Sequence, residues 1–379
     1  MLFYQRQGSI PAKRYTVLRR AGGGIYHEEL LGTEGFVGAS STLYRLNAPT
    51  RILRIEEALL PKAKIYDGPP DNMLFRPDQI VSSGDCNAGR VPLFSNADIT
   101  YSICRPDAAT PGFYRNGDCD EVMFVVAGSG TVETAFGVLA YRDRDLVVIP
   151  RGITYRWVPS GQPQDLVVLE THAPVGPPAR YRSACGQLLD SAPYHERDIR
   201  TPALLDAVDQ AGEFPVFIKA GGRSGRYVFD RHPFDVIGWD GYLYPYAFNI
   251  DDYEPISGRV HPLPDQYQVF GSRGVSICVL VPHPNASDPN ASPAQAHHMN
   301  LDYDELMYRF ASADSAAALS RSITFHPRSL AHGPKPGYES APLEPFLDMW
   351  AFMVDTERSL DVTLGAVDVR DESYRNIWL

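Results

Sequence analysis

Two stretches of this chain, far apart in sequence, carry nearly the same eight residues. Residues 116–123 read N-G-D-C-D-E-V-M and residues 300–307 read N-L-D-Y-D-E-L-M, which are identical at five of eight positions. Internal similarity of this kind indicates a structural unit that is present twice. The repeat therefore restricts the chain to folds in which one type of domain is built two times.

The second copy of the repeat combines two imidazoles with one carboxylate. His298 and Glu305 fit the first signature of the cupin barrel, H-x-H-x(3,4)-E, with Asn300 at its second histidine. His332 ends a match to the second cupin signature, P-x-G-x-x-H, in which Ser329 replaces the glycine. A histidine in isolation is more often structural than a ligand, but two partial signatures in the right order favour a metal site. Two histidines and one carboxylate form the facial ligand set of non-haem iron(II), which leaves neighbouring positions open, so these three residues are the predicted iron(II) ligands.

The corresponding positions of the first copy carry different side chains. Aligning the Pro-Arg pair of V-V-I-P-R-G-I-T-Y with that of T-F-H-P-R-S-L-A-H places Tyr155 opposite His332, and the eight-residue repeat places Tyr114 opposite His298. Two tyrosines and a glutamate suit iron(II) poorly compared with neutral imidazoles. We therefore predict that only the second copy binds metal and that Glu121, in the first copy, is structural.

Short apolar segments separated by turn residues make up most of the rest of the chain. They recur through residues 99–181 and again through residues 267–354, at the spacing of a β-sandwich or barrel. The 379 residues include 31 Gly and 32 Pro, and helical periodicity is scarce. The predicted fold class is mainly all-β, with two cupin-like β-barrels or sandwiches (a bicupin) and few short helices. The predicted domains are residues 1–230, a β domain with a metal-free barrel core at about 99–181 and a bridging segment, and residues 231–379, a barrel with the metal site.

Two connecting segments carry local signals of their own. Residues 202–211 are predicted to form a helix, because Thr201 is suited to cap it and Pro202 to begin it. Residues 282–296, P-H-P-N-A-S-D-P-N-A-S-P-A-Q-A, lead directly towards His298. A Pro- and Asn-rich loop beside a metal ligand is either a lid over the site or a surface excursion, and the sequence favours neither.

The charge of the chain narrows its range of partners. Its formal net charge is −11, whereas nucleic acids and anionic membranes are bound through an excess of Lys and Arg. Neither is therefore an expected partner. The five cysteines form no C-x-x-C pair, and the first residues lack the apolar core of a secretory signal. These features predict a cytoplasmic protein with free thiols.

Several longer blocks go beyond the cupin signatures, namely I-P-A-K-R-Y-T, Y-H-E-E-L-L-G-T-E-G-F, G-D-C-D-E-V-M-F-V, V-I-G-W-D-G-Y-L-Y-P-Y-A-F-N-I and H-P-R-S-L-A-H-G-P. Through them nearly the whole chain resembles the homogentisate 1,2-dioxygenase family, iron enzymes that cleave an aromatic ring in tyrosine catabolism. The resemblance implies that His298, Glu305 and His332 bind iron(II). It also implies that His261, in R-V-H-P-L-P-D-Q-Y, hydrogen-bonds the substrate hydroxyl and acts as a base. Family members form trimers and hexamers, so the resemblance implies a homo-oligomer that acts on a small aromatic substrate and O2.

Two departures from this resemblance concern the substrate. The better-known members place aromatic residues directly before the first histidine ligand, where they help to hold the acetate group of the substrate, whereas this chain has Ala296 and His297. Their spacing from that histidine to the glutamate is also shorter by one residue. The expected substrate is homogentisate or another para-dihydroxybenzene, such as gentisate or hydroquinone, and a non-catalytic bicupin is the alternative outside enzymes. His326 either orients His332 or is structural.

Overall fold

Strands account for nearly all the regular structure in the computed structural model, which describes residues 2–204, 206–256, 258–260, 267–288, 297–312, 319–333 and 345–378. In chain order they are β1 (Gln5–Gly8), β2 (His27–Gly32), β3 (Ser40–Arg45), β4 (Ile52–Ala58), β5 (Met73–Phe75), β6 (Val91–Ser95), β7 (Ile99–Cys104), β8 (Phe113–Asn116), β9 (Asp120–Ala127), β10 (Gly130–Thr134), β11 (Gly137–Tyr141), β12 (Asp145–Ile149), β13 (Thr154–Pro159), β14 (Asp165–Thr171), β15 (Ile199–Arg200), β16 (Ala211–Ala220), β17 (Arg223–Arg231), β18 (Val236–Gly241), β19 (Tyr246–Asn249), β20 (Gln268–Ser272), β21 (Val275–Leu280), β22 (His283–Pro284), β23 (Asp304–Ser312), β24 (Ser322–His326), β25 (Phe346–Leu347), β26 (Met349–Thr356) and β27 (Asp361–Val362). The described helices are short, namely α1 (Leu364–Val367) and 3₁₀ turns at Glu34–Phe36, Pro77–Gln79, Ala179–Tyr181, Glu196–Asp198, Ile250–Asp252 and Tyr374–Trp378. None of the helices in these residues is long and apolar enough to cross a membrane. The predicted all-β fold class is confirmed.

The described strands form four larger sheets and one two-stranded pair. Their orders are β1-β18-β3-β2, β11-β10-β13-β8-β16-β17-β4, β15-β19-β12-β9-β14-β7-β6-β27 and β20-β21-β26-β23-β24-β5, and β22 pairs with β25. The seven- and eight-stranded sheets contain the strands of the first repeat copy, and the six-stranded sheet contains those of the second. Within β9, β12 and β14 the apolar runs are rich in Val and buried almost without interruption, as expected for strands covered on both faces.

The strand pairing repeats along with the sequence. β9 carries the first motif and lies between β12 and β14, and β23 carries the second motif and lies between β24 and β26. The register repeats too, since Glu121 is opposite Glu170 on β14, and Glu305 is opposite Asp355 on β26. The two cupin-like copies therefore align strand by strand around their motif glutamates.

An ion-paired brace precedes the motif glutamate in each copy. Arg151 Nε lies 2.9 Å from Asp120 Oδ1, and Arg328 Nε lies 2.9 Å from Asp304 Oδ1. In both copies the same carboxylate oxygen also accepts the backbone N–H of its arginine, at 3.1 and 3.0 Å. The brace connects the Pro-Arg motif to the aspartate at the start of the central strand. Because the motif glutamate directly follows this aspartate, the brace also helps to position the glutamate.

The two faces of β23 have different surroundings, because successive side chains of a strand point to opposite sides. Phe310, on one face, packs into the main core, where Phe124 of β9 stacks on Phe352 of β26 with ring centroids 4.8 Å apart. Met307, on the other face, belongs to a separate small apolar cluster. The six-stranded sheet therefore packs one face against the first copy and leaves the face that carries Glu305 to the interior of the second copy.

Strand pairing crosses the predicted domain division at residue 230. β18 and β19 follow this position but pair with β3 and β12 of the N-terminal region. β5 precedes it but forms an edge of the six-stranded sheet, and β27 of the C-terminal region joins the eight-stranded sheet. The division into residues 1–230 and 231–379 stays a prediction, and shared sheets connect the two copies.

The predicted helix at residues 202–211 is wrong. No described residue in that range is helical. Ala203 instead exchanges both of its backbone hydrogen bonds with Val138, at 2.8 Å each, and Ala211 begins β16. Pairing with β11 supplies the backbone partners that a helix would have to find within itself, so the local capping signals do not decide the conformation.

Candidate metal centre

The three predicted ligands come from three separate pieces of backbone. Glu305 is the second residue of β23, whereas His298 precedes that strand and His332 follows β24. The N–H of each histidine donates to the carbonyl oxygen of the other at 2.9 Å. This reciprocal backbone pairing sets the separation of the two imidazoles beside the strand that carries the carboxylate.

The side chains of these three residues converge. One ligand atom from each of His298, Glu305 and His332 lies within 4.8 Å of the other two. His332 Nε2 is 3.9 Å from Glu305 Oε2, and the two imidazole rings meet edge to face with centroids 4.4 Å apart. Atoms that share one metal ion at about 2 Å lie roughly 3 to 4 Å from each other. Small side-chain movements therefore suffice to bring all three onto one ion.

His326 supports two of these side chains from β24. It is directly opposite Glu305 in the sheet, and its Nδ1–H donates to Glu305 Oε1 at 2.9 Å. Its Nε2 is 3.0 Å from the hydroxyl of Tyr374, and its ring stacks on His332 with centroids 4.0 Å apart. Of the two roles left open for His326, these contacts favour the orienting one, because such partners fix the direction of metal-binding side chains.

The imidazole of His332 is held in its neutral form. Burial, reinforced by the neighbouring His326, lowers the pKa of His332 to about 4. Its Nδ1–H donates to the carbonyl of Leu330 at 3.0 Å, so the lone pair of the neutral ring is on Nε2. This Nε2 is buried and has no hydrogen-bond partner. A buried lone pair of this kind is unfavourable unless an electron-pair acceptor such as a metal ion meets it.

Two carboxylates face each other beside the imidazoles, Glu305 on β23 and Asp355 on β26. Burial by itself would raise the pKa of Glu305, but the hydrogen bond from His326 outweighs it and the pKa is lowered. Burial, and after it the charge of Glu305, raises the pKa of Asp355 well above its ordinary value. In the described part of the chain, neither carboxylate forms an ion pair with Lys or Arg. The donor set therefore fits a divalent cation, whose charge would favour the ionised form of both carboxylates.

A side-chain cation takes the corresponding position in the first copy. Arg90 lies 2.5 Å from Glu121 and 3.0 Å from the hydroxyl of Tyr155, the equivalents of two predicted ligands. The same guanidinium is 3.6 Å from Glu170, and Lys219 Nζ is 2.6 Å from that carboxylate. Two buried carboxylates thus meet two cations here. These two side-chain cations are the physical reason for the prediction that the first copy binds no metal and that Glu121 is structural.

Some of the predicted site lies outside the described residues. This applies to His261, the predicted base, to Ala296, and to residues 289–296 of the segment at 282–296. The role of His261 and the choice between lid and surface loop stay predictions.

Several residues of the two centres are not among those that the sequence motifs predict. Asp355 has a usable signal, because V-D-T at 354–356 matches L-E-T at 169–171 and extends the internal repeat. Tyr374, Arg90 and Lys219 have none, since they reach their partners from segments outside the repeat.

The sequence matches several proteins named as dioxygenases. The family described as homogentisate 1,2-dioxygenase N-terminal matches residues 97–250. A protein of Saccharolobus solfataricus named "Putative dioxygenase" is 33% identical over 385 residues, which cover 100% of this chain and 99% of that protein. The homogentisate 1,2-dioxygenase of Rhodopseudomonas palustris strain BisB5 is 26% identical over 416 residues, covering 98% of this chain and 90% of that one. That of Nitrobacter hamburgensis is 27% identical over 287 residues, covering 70% and 62%.

Solved structures resemble the chain more distantly. Oxalate decarboxylase from Bacillus subtilis has a TM-score of 0.34 at 10% identity, covering 80% of this chain and 82% of that one. The Ylba protein from E. coli has a TM-score of 0.36 at 9% identity, covering 79% and 95%.

Proposed function

The chain belongs to the homogentisate 1,2-dioxygenase family, and from this premise we propose that it is an iron(II)-dependent, ring-cleaving dioxygenase. Its proposed reaction is the insertion of O2 into homogentisate, 2,5-dihydroxyphenylacetate, to give maleylacetoacetate. The proposed ligands of iron(II) are His298, Glu305 and His332, and the proposed base is His261.

The observation that carries this proposal is the contrast between the two copies. In the first copy Arg90 and Lys219 neutralise a pair of facing carboxylates. In the second copy the same pair, Glu305 and Asp355, is joined by two imidazoles instead of two phenols. Neutral nitrogen donors in place of side-chain cations are expected where a metal ion supplies the positive charge opposite the carboxylates.

The chain's own residues supply orientation and protonation states. Iron(II) held by this ligand set would supply open coordination positions for a deprotonated ring hydroxyl and for O2. His326 holds the carboxylate of Glu305 by a hydrogen bond, and the carbonyl of Leu330 turns His332 so that Nε2 faces the site. Because these contacts exist before substrate arrives, little reorganisation is needed when it binds. His261 would accept the hydroxyl proton, since an unperturbed imidazole titrates close to physiological pH.

Metal stoichiometry tests the ligand set. His332→Ala and Glu305→Ala, loaded with iron(II) without oxygen, are expected to lose most of their iron and their oxygen uptake. His172→Ala is the matched control, because this histidine is exposed and belongs to the first copy. If His332→Ala keeps stoichiometric iron and activity, the ligand set is wrong. If the wild type binds iron but consumes no oxygen with any dihydroxybenzene, the non-catalytic bicupin becomes the better reading.

A same-family dioxygenase for a different ring is the second candidate, favoured by Ala296 and His297 in place of aromatic residues. Oxygen-electrode assays with homogentisate, gentisate and hydroquinone separate the candidates by their kcat/KM values. His261→Ala is expected to lower kcat and to remove one limb of the pH–rate profile, and an unchanged profile would reject His261 as the base.

The proposed assembly follows from the family resemblance, and the proposed location and partners follow from the cysteine pattern and the net charge of the chain. We propose a cytoplasmic homo-oligomer, a trimer or hexamer, without nucleic acid or membrane partners. Light scattering of the purified protein measures the subunit number, and a monomer would contradict this part of the proposal.

A further inference from the structure

A cleft opens at the surface where the two copies of the fold meet. Its volume is about 370 Å³, which lies within the range of roughly 300 to 1,000 Å³ of small-molecule sites. One wall consists of residues 174–182, which follow β14 of the first copy, and the other is the hairpin of β20 and β21 in the second copy. Among the described residues that line the cleft, none belongs to the candidate metal centre. The cleft is therefore a candidate site apart from that centre.

Backbone pairing holds the two walls together. The N–H of Gly176 donates to the carbonyl oxygen of Gly271 at 3.1 Å, and the N–H of Gly271 donates to that of Gly176 at 2.9 Å. The hydroxyl of Ser272 donates to the carbonyl oxygen of Ala173 at 2.9 Å. Because these groups satisfy one another, the side chains of the walls decide what the cleft binds. The walls are in place before a ligand arrives, which limits the cost of ordering them.

The cleft is lined by three arginines, Arg180 and Arg182 on one wall and Arg273 on the other, and its described lining contains no aspartate or glutamate. Within the described part of the chain, neither Arg182 nor Arg273 forms an ion pair. The chain as a whole has a net charge of −11, so this local excess of cations is unusual for its surface. Clefts lined by one sign of charge concentrate ions of the opposite sign.

Neighbouring groups hold two of these guanidiniums. Arg182, which is half-buried, donates from NH2 to the carbonyl oxygen of Pro177 at 2.8 Å. Burial lowers the pKa of Arg182, although a guanidinium still stays charged at neutral pH. Arg180 donates from NH1 to Oε1 of Gln268 at 2.5 Å, and its guanidinium lies over the ring of Tyr181, 4.8 Å from the centroid. A guanidinium has five N–H donors, and Arg182 uses one of them within the described residues, so most of its donors remain for a ligand.

The repeat provides a second, related junction, in which the chain after β26 runs along the hairpin of β6 and β7. Val175 and Leu360 occupy equivalent positions there, because their N–H groups donate to the second carboxylate oxygens of Asp120 and Asp304, at 3.0 and 2.8 Å. In each copy the following residue pairs with the hairpin of the other copy, and a short helical turn comes next. The two junctions therefore align residue by residue.

The two junctions differ in charge. Each of the three arginines has an uncharged residue at its equivalent position, namely Gly365 for Arg180, Val367 for Arg182 and Ala97 for Arg273. The related junction does contain Arg358, but this cation pairs with Asp98 at 3.1 Å. The architecture forms without the three arginines, so packing of the copies does not explain them.

We propose that this cleft binds a small anion with at least two negative charges, carried by phosphate or carboxylate oxygens. A guanidinium presents parallel N–H groups that match both kinds of oxygen. Arg182 and Arg273 belong to opposite walls, so a dianion between them pairs with both, whereas a monoanion leaves one without a partner. The site goes beyond the proposed function and does not depend on it. Because its walls come from both copies, the bound anion links them.

Calorimetric titration of the full chain, at pH 7.5 and constant ionic strength, tests this site. Glycerol 3-phosphate and succinate are the dianionic probes, and acetate is the monoanionic one. At least one dianion is expected to bind with a dissociation constant below about 1 mM, and at least about 10-fold more tightly than acetate. The tighter of the two dianions identifies the natural ligand as a phosphate ester or as a dicarboxylate.

Substitutions assign the binding to the cleft. Arg182→Met and Arg273→Met are each expected to weaken binding of the dianion about 10- to 100-fold, because charge-assisted hydrogen bonds are lost. Arg182→Lys keeps the charge without the fork and is expected to fall between Arg182→Met and the wild type. Arg197→Met is the matched control, because Arg197 is exposed and lies outside the cleft. The dianion is also expected to raise the midpoint of thermal unfolding, and this rise is expected to shrink in the two methionine variants.

Two results would overturn the proposal. One is that neither dianion binds the wild type more tightly than acetate. The other is that the methionine variants bind the dianions as tightly as Arg197→Met does, which would place any binding elsewhere, for instance at the candidate metal centre. Arg273 is exposed in a hairpin turn, so Arg273→Met decides the question by itself if Arg182→Met fails to fold by circular dichroism.

Discussion

Replacing Arg90 by methionine tests the account of why the two copies differ. Methionine keeps the length of the side chain but removes the charge and every hydrogen-bond donor. In the wild type the guanidinium contacts Glu121, Tyr155 and the carbonyl oxygen of Cys86, and its side chain is 9% exposed. The substitution therefore leaves Glu121, 1% exposed, without its cation.

The expected cost is about 3 kcal/mol of unfolding free energy near pH 7. Breaking a buried ion pair by removing one partner costs roughly 3 to 5 kcal/mol, because the other charge stays buried and unpaired. Glu170 also loses the contribution of Arg90 but keeps Lys219 at 2.6 Å, so its loss is partial and the lower end of the range applies.

The cost is also expected to depend on pH. Burial opposes the ionised form of Glu170, but Arg90 and Lys219 outweigh it and lower its pKa. A carboxylate with a lowered pKa contributes stability above its unfolded pKa and loses it as the pH falls through the folded pKa. The wild type is therefore expected to lose this contribution below about pH 4.5, and the difference between wild type and Arg90→Met narrows there.

Urea unfolding followed by tryptophan fluorescence provides the measurement. Trp157 is fully buried in the first copy and stacks on Tyr141 with ring centroids 4.2 Å apart, so its emission reports unfolding near Arg90. Arg54→Met is the matched control, because Arg54 pairs with Glu213 in an exposed ion pair, and it is expected to leave the urea midpoint unchanged. A variant Arg90→Met that is as stable as the wild type at pH 7, or whose deficit grows as the pH falls, would refute the reasoning.

Three further substitutions test the second copy and its attachment. Tyr374→Phe removes the hydroxyl that contacts His326 and is expected to weaken iron binding about 10-fold, measured by iron retention against a chelator; unchanged retention would speak against support of the ligands through His326. Asp304→Ala removes the acceptor of two backbone N–H groups and is expected to cost about 2 to 4 kcal/mol in urea unfolding, and a loss below about 1 kcal/mol would contradict the role of the brace. Phe124→Ala opens a cavity against Phe352 where the copies meet, and it is expected to cost about 3 to 5 kcal/mol and to split unfolding into two calorimetric transitions; a single transition would mean that the shared sheets alone couple the copies.

Several features of the fold can be predicted from local patterns. β9, β12 and β14 lie within residues 99–181, and β23 and β24 lie within residues 267–354, the two regions whose recurring apolar segments predict strands. The helix predicted at residues 202–211 does not form, because a long-range partner competes for the backbone. The N–H and carbonyl groups of Ala203 bond to Val138, on a strand more than sixty positions earlier. Local propensity decides where no long-range partner competes for the backbone.

The sequence by itself determined that one β unit occurs twice, that its second copy carries His298, Glu305 and His332, and that the first has tyrosines instead of the histidines. These statements concern residue types at fixed spacing, which a sequence carries directly. Only the tertiary structure decided that Arg90 neutralises the first centre, and that Asp355 lies opposite Glu305 in the second. The physical reason is that a buried charge is defined by its neighbours across a sheet, and strand pairing and register select those neighbours from distant parts of the chain.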